Sequence, residues 1–378
     1  EPPPCEAPDR ALPAAMSRAL ATARIWLSPA GMNAIDAPPP GVRPEPHEIA
    51  LATPLEVAPG ILLLRLPLPF ALDHINVWLL EEADGWTLID CGLDFPASRA
   101  AWDAALAHDR IGGRPIRRLL VTHHHPDHIG LAGWHAARWD VPLEISAGEW
   151  AVAGRYGDRD RNPHRERVAL WTANGMAADE AEILVTRMPT YLRFVHDMPD
   201  ARRMIAPDAA LRIGGRDWRV VIGRGHAPEH VALLCEADDI LISGDQVLPR
   251  ISPNVSVWPD GDQNPLARFL DSLATFGRLG RDPLVLPSHH YPFRGLAART
   301  AELAALHDDR LRQLLEFCVE PRSAHDCLPL LFRRTLRDQQ VAFAMGEALA
   351  HLRHLAGTGA LVHVAEGGRD LYRAAAAP

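Results

Sequence analysis

Residues 121–130, VTHHHPDHIG, place four histidines and one aspartate within six positions. The spacing H-x-H-x-D-H is formed there by His123, His125, Asp127 and His128. Imidazole nitrogens and carboxylate oxygens are common protein ligands of zinc and of related transition metals. The stretch therefore predicts a metal site.

The same spacing favours two adjacent metal ions over a single ion. The residues before the histidines, PIRRLLV, have the pattern of a strand, in which side chains alternate between two faces. His123 and His125 are therefore expected to share a face. The turn at Pro126 then redirects the chain, so that Asp127 and His128 address a neighbouring point.

Three weaker signals follow at the ends of predicted strands. The stretch GRGHAPEH offers His226 and His230, LISGDQVL offers Asp245, and VLPSHHYPF offers His289 and His290. Each is weak by itself, because an aspartate after a glycine is often a turn residue. Together they supply the ligands that the first cluster lacks.

The elements around these motifs alternate between strand and helix patterns, which is typical of an α/β layered fold with functional residues on loops. Strand patterns cover 55–69, 75–92, 115–125, 141–148, 210–225, 232–245 and 284–290. Helical patterns cover 98–108, 128–139, most of 150–205, and 300–318, 327–336 and 339–359, with a strand pair at 360–374.

With its motifs in this order, residues 55–295 resemble the metallo-β-lactamase-fold hydrolase superfamily. The family pattern is H-x-H-x-D-H, a distant histidine, a bridging aspartate and a last histidine. The branch indicated is the glyoxalase II-like or lactamase-β-2-like one, with a C-terminal winged-helix-like domain. The resemblance implies an αββα sandwich with the site at one edge.

The resemblance also implies a ligand set. One metal ion would be held by His123, His125 and His226, the other by Asp127, His128 and His289, with Asp245 as the bridge. Alignment alone prefers His289 to His290, since this chain has Pro-Ser-His-His where the family usually has Pro-Gly-His-Gly. Asp90 stands where the family has Asp-Thr-Gly, and we expect it to orient a ligand.

Four segments are predicted from these patterns. Residues 1–50 form a Pro/Ala-rich extension, 51–298 the catalytic domain and 299–378 the winged-helix-like domain. Within the catalytic domain, residues 150–205 are interpreted as a helical lid insertion.

The insertion carries two groups of side chains with open interpretations. Its aromatic residues could roof an apolar pocket above the metals, or form a local core or a homodimer interface: Trp150, Tyr156, Trp171, Tyr191 and Phe194. Its arginines could clamp an acidic group of the substrate: Arg155, Arg159, Arg161, Arg165 and Arg167. Interleaved acidic residues favour a solvated salt-bridge face for the arginines instead.

The expected chemistry is hydrolysis. A ligand set without thiolate suits two zinc ions, with manganese or iron as alternatives. A hydroxide bridging the metals would attack the substrate, and Asp127 would orient it and take up a proton. A carbonyl ester is the first choice of substrate, above all a thioester of the acyl-coenzyme A or acylglutathione kind. A lactone or other small ester is second, and a phosphodiester or RNA third.

Composition limits the partners. The net charge of −9 argues against binding to nucleic acid or to an anionic membrane. A non-catalytic nucleic-acid-binding protein is the remaining alternative, because Arg333, Arg334 and Arg337 lie on one predicted helix. However, residues 299–378 contain ten arginines and ten acidic residues, far from the basic surface that such binding needs.

Two further features concern location. The five cysteines show no CxxC spacing, which favours a reducing cytoplasm. The longest apolar runs fall short of the roughly 20 residues of a membrane-spanning helix.

Overall fold

Two seven-stranded sheets form the centre of the computed structural model. It describes residues 38–45, 47–157, 163–188, 191–333, 335–336 and 339–375. The strands in chain order are β1 (Arg43–Pro44), β2 (Leu55–Ala58), β3 (Ile61–Pro67), β4 (His74–Glu82), β5 (Gly85–Ile89), β6 (Ile116–Leu120), β7 (Leu143–Ser146), β8 (Arg202–Ile205), β9 (Ala210–Ile213), β10 (Arg216–Gly223), β11 (His230–Cys235), β12 (Ile240–Gly244), β13 (Leu284–Pro287), β14 (Phe293–Arg294), β15 (Leu361–Glu366) and β16 (Arg369–Ala374).

The two halves of the fold each contribute one sheet. The first sheet has the order β2-β3-β4-β5-β6-β7-β8, and the second has the order β1-β14-β13-β12-β11-β10-β9. In the first sheet β5 pairs with β6 in parallel, and in the second β12 pairs with β13 in parallel. The carboxyl ends of the paired strands therefore lie at the same edge of each sheet.

The helices pack around the two sheets and against one another. They are α1 (Pro96–Leu106), α2 (Pro126–Ile129), α3 (Ala132–Trp139), α4 (Ala147–Ala153), α5 (His164–Ala173), α6 (Ala178–Arg187), α7 (Pro265–Phe276), α8 (Leu296–Phe317), α9 (Leu328–Leu331) and α10 (Gln339–Gly357). Short 3₁₀ turns occupy Gly154–Gly157 and Tyr191–Phe194.

Strand β3 shows why both faces of the sheet are covered. Ile61 and Leu63 belong to the core between the two sheets. Leu62 and Leu64, on the opposite face, pack in the core beneath α1 and α3. A continuous apolar run is typical of strands that are buried on both faces. The predicted αββα layering and the α/β class are confirmed.

Helix α7 was not predicted from the sequence, although its signals are present. The Asn264 side chain accepts a hydrogen bond from the Ala267 backbone N–H at 3.3 Å, and Pro265 occupies the first turn. Phe269 and Phe276 are buried against the second sheet. A side-chain cap with proline in the first turn marks a helix start, and this helix connects the parallel strands β12 and β13.

The C-terminal part contains the expected helices and the expected strand pair. Leu349, Leu361 and Tyr372 share one apolar core with Phe269 of α7. At the other end of the chain, β1 pairs with β14 on the edge of the second sheet. The winged-helix interpretation and the predicted domain boundaries stay predictions.

None of the described helices has both the length and the apolar character needed to cross a membrane.

Candidate metal centre

Five of the seven predicted ligands come from the ends of four strands. His123 and His125 follow β6, and His226 follows β10. Asp245 follows β12 and His289 follows β13, whose parallel pairing brings the two strand ends together. The order of the strands in the two sheets thus brings residues that are far apart in sequence to one edge of the sandwich.

A sharp turn splits the first motif into two directions. His125 has an extended backbone, with φ −61° and ψ 143°, and Pro126 begins α2 immediately after it. The fixed φ of proline is compatible with the first turn of a helix. Asp127 and His128 therefore project from α2, while His123 and His125 project from the strand end, as the sequence predicted.

Three histidines form the first donor group. His123 Nε2 lies 2.9 Å from His125 Nδ1 and 3.2 Å from His226 Nε2. His123 is fully buried and the other two are partly buried. These three nitrogens face one another at one point.

The second donor group lies beside the first. Asp127 Oδ2 lies 3.7 Å from His128 Nε2 and 3.5 Å from His289 Nε2. Asp245 faces both groups, because its Oδ2 lies 3.6 Å from His226 Nε2 and its Oδ1 lies 3.4 Å from His289 Nε2. The structure therefore brings all seven predicted ligands together, with Asp245 between the two groups.

The donor chemistry of the cluster fits a bound cation. His128 Nε2 and Asp245 Oδ1 are buried and have no hydrogen-bond partner among the described residues. Buried polar atoms without partners are costly, and facing imidazole nitrogens cannot all satisfy one another. A divalent metal ion would give the buried atoms a partner and would be coordinated by the facing nitrogens.

Hydrogen bonds fix which nitrogen of each histidine faces the centre. His128 Nδ1–H donates to Asp90 Oδ2 at 2.8 Å, and His226 Nδ1–H donates to the Asn254 carbonyl at 2.8 Å. His289 Nδ1–H donates to the His74 carbonyl at 2.8 Å. Each bond occupies Nδ1, so that Nε2 is the nitrogen that faces the centre.

The electrostatics of the two groups differ. Burial lowers the pKa of His123 and His125 well below the usual value, and the neighbouring imidazoles lower it further. Burial also opposes charge on His289, but Asp245 and Asp127 outweigh it and raise the pKa to about 10. For Asp245, burial raises the pKa, while His289 and His128 outweigh it and hold the pKa well below the usual value. The first group thus favours neutral imidazoles, whereas the carboxylates of the second group favour a positive charge beside them.

Asp90 has the orienting position that the sequence predicted. Its carboxylate also accepts hydrogen bonds from the Thr122 backbone N–H at 2.7 Å and the Thr122 hydroxyl at 2.9 Å. Its backbone has φ +59°, an uncommon conformation that aspartate tolerates better than most residues. Asp90 therefore connects the ends of β5 and β6 to His128.

The two adjacent histidines of the last motif, His289 and His290, have different surroundings. His289 belongs to the second donor group, whereas His290 is absent from the donor groups found among the described residues. The His290 backbone N–H donates to His74 Nε2 at 3.0 Å, and its carbonyl accepts a hydrogen bond from Arg65. These contacts hold the loop while His289 faces inward.

Glu149 was missed by sequence reasoning. Its carboxylate is buried at 0% exposure, and it accepts hydrogen bonds from the His124 backbone N–H at 2.9 Å and from the Glu229 backbone N–H at 2.6 Å. Its Oε2 also lies 2.5 Å from His124 Nδ1. Glu149 thus joins the loop of the first motif to the loop of His226. Its position just after β7, at the same sheet edge, was the available signal.

The insertion contributes less to the site than the sequence suggested. Trp171 is buried in the core shared with the C-terminal helices, which supports the local-core interpretation. The Tyr156 ring lies 6.3 Å from His124, and the Phe194 ring lies 5.9 Å from Phe70. Arg155 pairs with Asp260 at 2.8 Å, as a salt-bridge face requires. Arg159 and Arg161, and the side chain of Tyr191, lie outside the described part.

Comparison with known proteins agrees with this geometry. The chain matches the metallo-beta-lactamase superfamily over residues 71–289, which is more than half of its length. It belongs to the metallo-beta-lactamase superfamily. Residues 311–375 also match the metallo-beta-lactamase-like C-terminal domain. The resemblance seen in the motifs is therefore confirmed.

Similar proteins of this superfamily cover nearly the whole described fold. A beta-lactamase domain protein from Burkholderia ambifaria is 41% identical, with TM-score 0.79, over 88% of this chain and 97% of that one. The Thermus thermophilus protein TTHA1429 is 30% identical, with TM-score 0.73, over 85% of this chain and 100% of that one. The probable metallo-hydrolase YqjP of Bacillus subtilis is 24% identical over 83% of this chain and 97% of that protein.

Proposed function

We propose that this metal-dependent hydrolase holds two zinc ions and cleaves a carbonyl ester, with a thioester of the acyl-coenzyme A or acylglutathione kind as first choice. The observation that carries the proposal is the convergence of two donor groups on one another, with Asp245 facing both. Two metal sites side by side are the arrangement that hydrolytic dinuclear centres use.

Bound zinc ions would supply Lewis acidity and lower the pKa of a coordinated water to near 7. The first site would be held by His123, His125 and His226, the second by Asp127, His128 and His289. Asp245 would contact both.

The partial exposure of Asp127 supports a role for this residue in handling the proton. Its side chain is partly exposed, at 23%, whereas those of His128 and His289 are almost fully buried. It can therefore accept a hydrogen bond from the attacking water and take up its proton as the carbonyl carbon is attacked. Asp90 holds the candidate ligand His128, and Glu149 holds the backbone of His124 beside the candidate ligands His123 and His125.

The experiment combines metal analysis with a substrate screen. Protein of known metal content is offered acyl thioesters, a lactone series and bis-p-nitrophenyl phosphate, with chelated protein as the control. Two zinc equivalents per chain, with thioester turnover that chelation abolishes, would support the proposal.

Other outcomes would change the proposed substrate or the proposed mechanism. Turnover of lactones without thioesters would move the substrate to the second choice, and phosphodiester turnover alone would replace ester hydrolysis by nuclease chemistry. Full turnover after complete removal of metal would contradict the mechanism itself.

A further inference from the structure

His230 is fully buried beside the metal centre, but it belongs to none of the donor groups found among the described residues. It begins β11, where its backbone pairs with Gly223 of β10. The next residue, Val231, donates its backbone N–H to the Thr122 carbonyl at 2.8 Å. Thr122 directly precedes His123, so these bonds hold His230 against the strand end that carries the first ligands.

The His230 ring contacts two of the candidate ligands. It lies against the ring of His123, with centroids 4.8 Å apart and an angle of 31° between the planes. Its Nε2 accepts a hydrogen bond from the Asp245 backbone N–H at 3.0 Å. Gly244 makes this approach possible, since it has φ +53° and a Cβ added there would lie 2.5 Å from His230 Nε2. One side chain thus joins the first donor group to the residue that lies between the two groups.

The direction of this hydrogen bond determines which nitrogen of His230 carries a proton. A backbone N–H can only donate, so Nε2 accepts, and the proton of the neutral ring is on Nδ1. Nδ1 is buried and has no hydrogen-bond partner among the described residues, which is unfavourable for a donor. An apolar side chain would avoid this penalty but would remove the acceptor of the Asp245 N–H. A requirement for that acceptor therefore explains why a histidine is buried here.

We propose that His230 is a positioning residue for Asp245, whose backbone it fixes so that the carboxylate faces both donor groups. The proposal rests on the two-metal centre of the proposed function, in which Asp245 contacts both sites. Asp245 Oδ2 lies 3.5 Å from His128 Nε2 and 3.6 Å from His226 Nε2. A rotation of the Asp245 backbone would therefore withdraw the carboxylate from both groups at once. His230 acts through Asp245 and is not itself a ligand.

The test compares two substitutions that differ in reach. The side-chain oxygen of glutamine can take the place of histidine Nε2, whereas that of the shorter asparagine lies near the place of Nδ1, away from the Asp245 N–H. Zinc binding by the native protein, His230→Gln and His230→Asn is measured in competition with a chelator. The visible absorption spectrum of the cobalt-loaded proteins reports the geometry of the ligands. His135→Asn is the matched control, because His135 is also fully buried and neither of its nitrogens has a partner among the described residues.

We expect His230→Asn to bind both zinc ions at least tenfold more weakly than the native protein, because groups that orient metal ligands typically affect metal affinity about 10- to 100-fold. His230→Gln should retain most of the affinity and the native cobalt spectrum, and His135→Asn should match the native protein in both measurements. Native affinity in His230→Asn, or equal weakening in His230→Gln or in His135→Asn, would overturn the proposal. Circular dichroism checks the fold, and if His230→Asn does not fold, His230→Leu replaces it in the comparison with His230→Gln.

These measurements separate the role of His230 from the proposed function, because neither depends on turnover. Weakened zinc binding in His230→Asn that is absent in His230→Gln, in a protein that cleaves no ester, would support the positioning of Asp245 and contradict ester hydrolysis. Thioester turnover by His230→Asn with native zinc affinity would support the hydrolysis and contradict the positioning role.

Discussion

His289 and His290 show how the backbone separates two adjacent residues of the same type. His289 Nδ1 is bound to the His74 carbonyl, which turns its Nε2 into the cluster. His290 has φ +69°, and its N–H is bound to the side chain of the same His74. A single residue, His74, therefore positions both histidines, one through its carbonyl and one through its ring.

A pair of substitutions tests this assignment. Asparagine tolerates a positive φ, so that His289→Asn and His290→Asn are both compatible with the backbone. We expect His289→Asn to lower the affinity for the second metal ion at least tenfold, and His290→Asn to retain two ions per chain. Metal content after dialysis, with circular dichroism to check the fold, measures the difference. Equal metal loss in both variants would contradict the assignment.

At this scale the sequence predicted the candidate ligands but not the groups that hold them in position. Four of the seven candidate ligands stand in one short motif whose spacing is set by strand alternation and by a turn, and the other three follow the ends of predicted strands. Glu149 and the Asn254 carbonyl have no such motif, because their role depends on how distant loops meet.

At the scale of elements, helix α4 supports the first donor group. Ser146 caps the helix by accepting a hydrogen bond from the Glu149 N–H at 3.4 Å, which places the Glu149 side chain between two ligand loops. Although burial raises the pKa of Glu149, the charge of His124 and several hydrogen bonds outweigh it and hold the pKa below the usual value.

Replacing this carboxylate should loosen the first metal site. In Glu149→Gln the amide nitrogen of the side chain meets backbone N–H groups that need acceptors, so at least one hydrogen bond is lost. Changes to groups that orient metal ligands typically reduce metal affinity about 10- to 100-fold. Competition with a chelator measures the affinity, and Glu236→Gln, which removes a surface partner of Arg219, serves as the control. An unchanged metal affinity would show that the Glu149 carboxylate does not support the first metal site.

Helices α8 and α10 are joined by a buried pair of histidines. His307 Nδ1 lies 3.0 Å from His351 Nε2, and His351 Nδ1–H donates to the Glu347 carbonyl at 2.7 Å. Burial, with smaller contributions from nearby charges, lowers the pKa of His307 to about 2 and that of His351 to about 3. Both histidines are therefore neutral in the folded protein.

This pair makes stability depend on pH in one direction. An unfolded histidine has a pKa near 6.5, so between about pH 6.5 and pH 3 the unfolded chain binds more protons than the folded chain. The free energy of unfolding is thus expected to fall as pH drops below 6.5. The double variant His307→Gln/His351→Gln should show a smaller decrease in Tm between pH 7 and pH 5, by calorimetry. An identical pH dependence in both proteins would contradict the assignment.

Elements were predicted well where the pattern was regular, and missed where a long loop preceded a helix. The strands around the motifs and the C-terminal helices have clear apolar periodicity. Helix α7 follows an irregular segment of about twenty residues, and its apolar face is recognisable only once the second sheet requires a cover. The sequence could not show which aromatic residues of the insertion cover the metal centre and which belong to a local core. Apolar periodicity identifies a buried face but not the element against which that face packs.

At the scale of the molecule, the catalytic sandwich and the C-terminal region share one apolar core. The cluster beneath the second sheet contains residues of three parts of the chain: Phe269 and Phe276 of α7, Trp171 and Leu184 of the insertion, and Leu349 and Leu361 of the C-terminal region. The family matches at residues 71–289 and 311–375 are thus separate in sequence but joined in packing.

Removal of the C-terminal region should therefore destabilise the catalytic part. A chain ending at residue 310 would expose the apolar faces of α5, α6 and α7, and burial of each large apolar side chain contributes roughly 1.5–3 kcal/mol. We expect this truncated protein to aggregate or to lose its cooperative transition, while the intact protein unfolds in a single step by calorimetry. A soluble, metal-binding truncated protein would show that the two parts fold independently.

The parallel pairings β5–β6 and β12–β13 also bear on the expected order of events during folding. The strands of β5–β6 and β12–β13 are each separated by a crossover that contains a helix, α1 or α7, and such non-local pairings form slowly compared with hairpins. The ligands become neighbours only after both crossovers have closed and the two sheets have docked. Uptake of metal by the refolding chain should therefore follow as a separate, later kinetic phase, and a chelator present during refolding should leave the rate at which secondary structure returns unchanged.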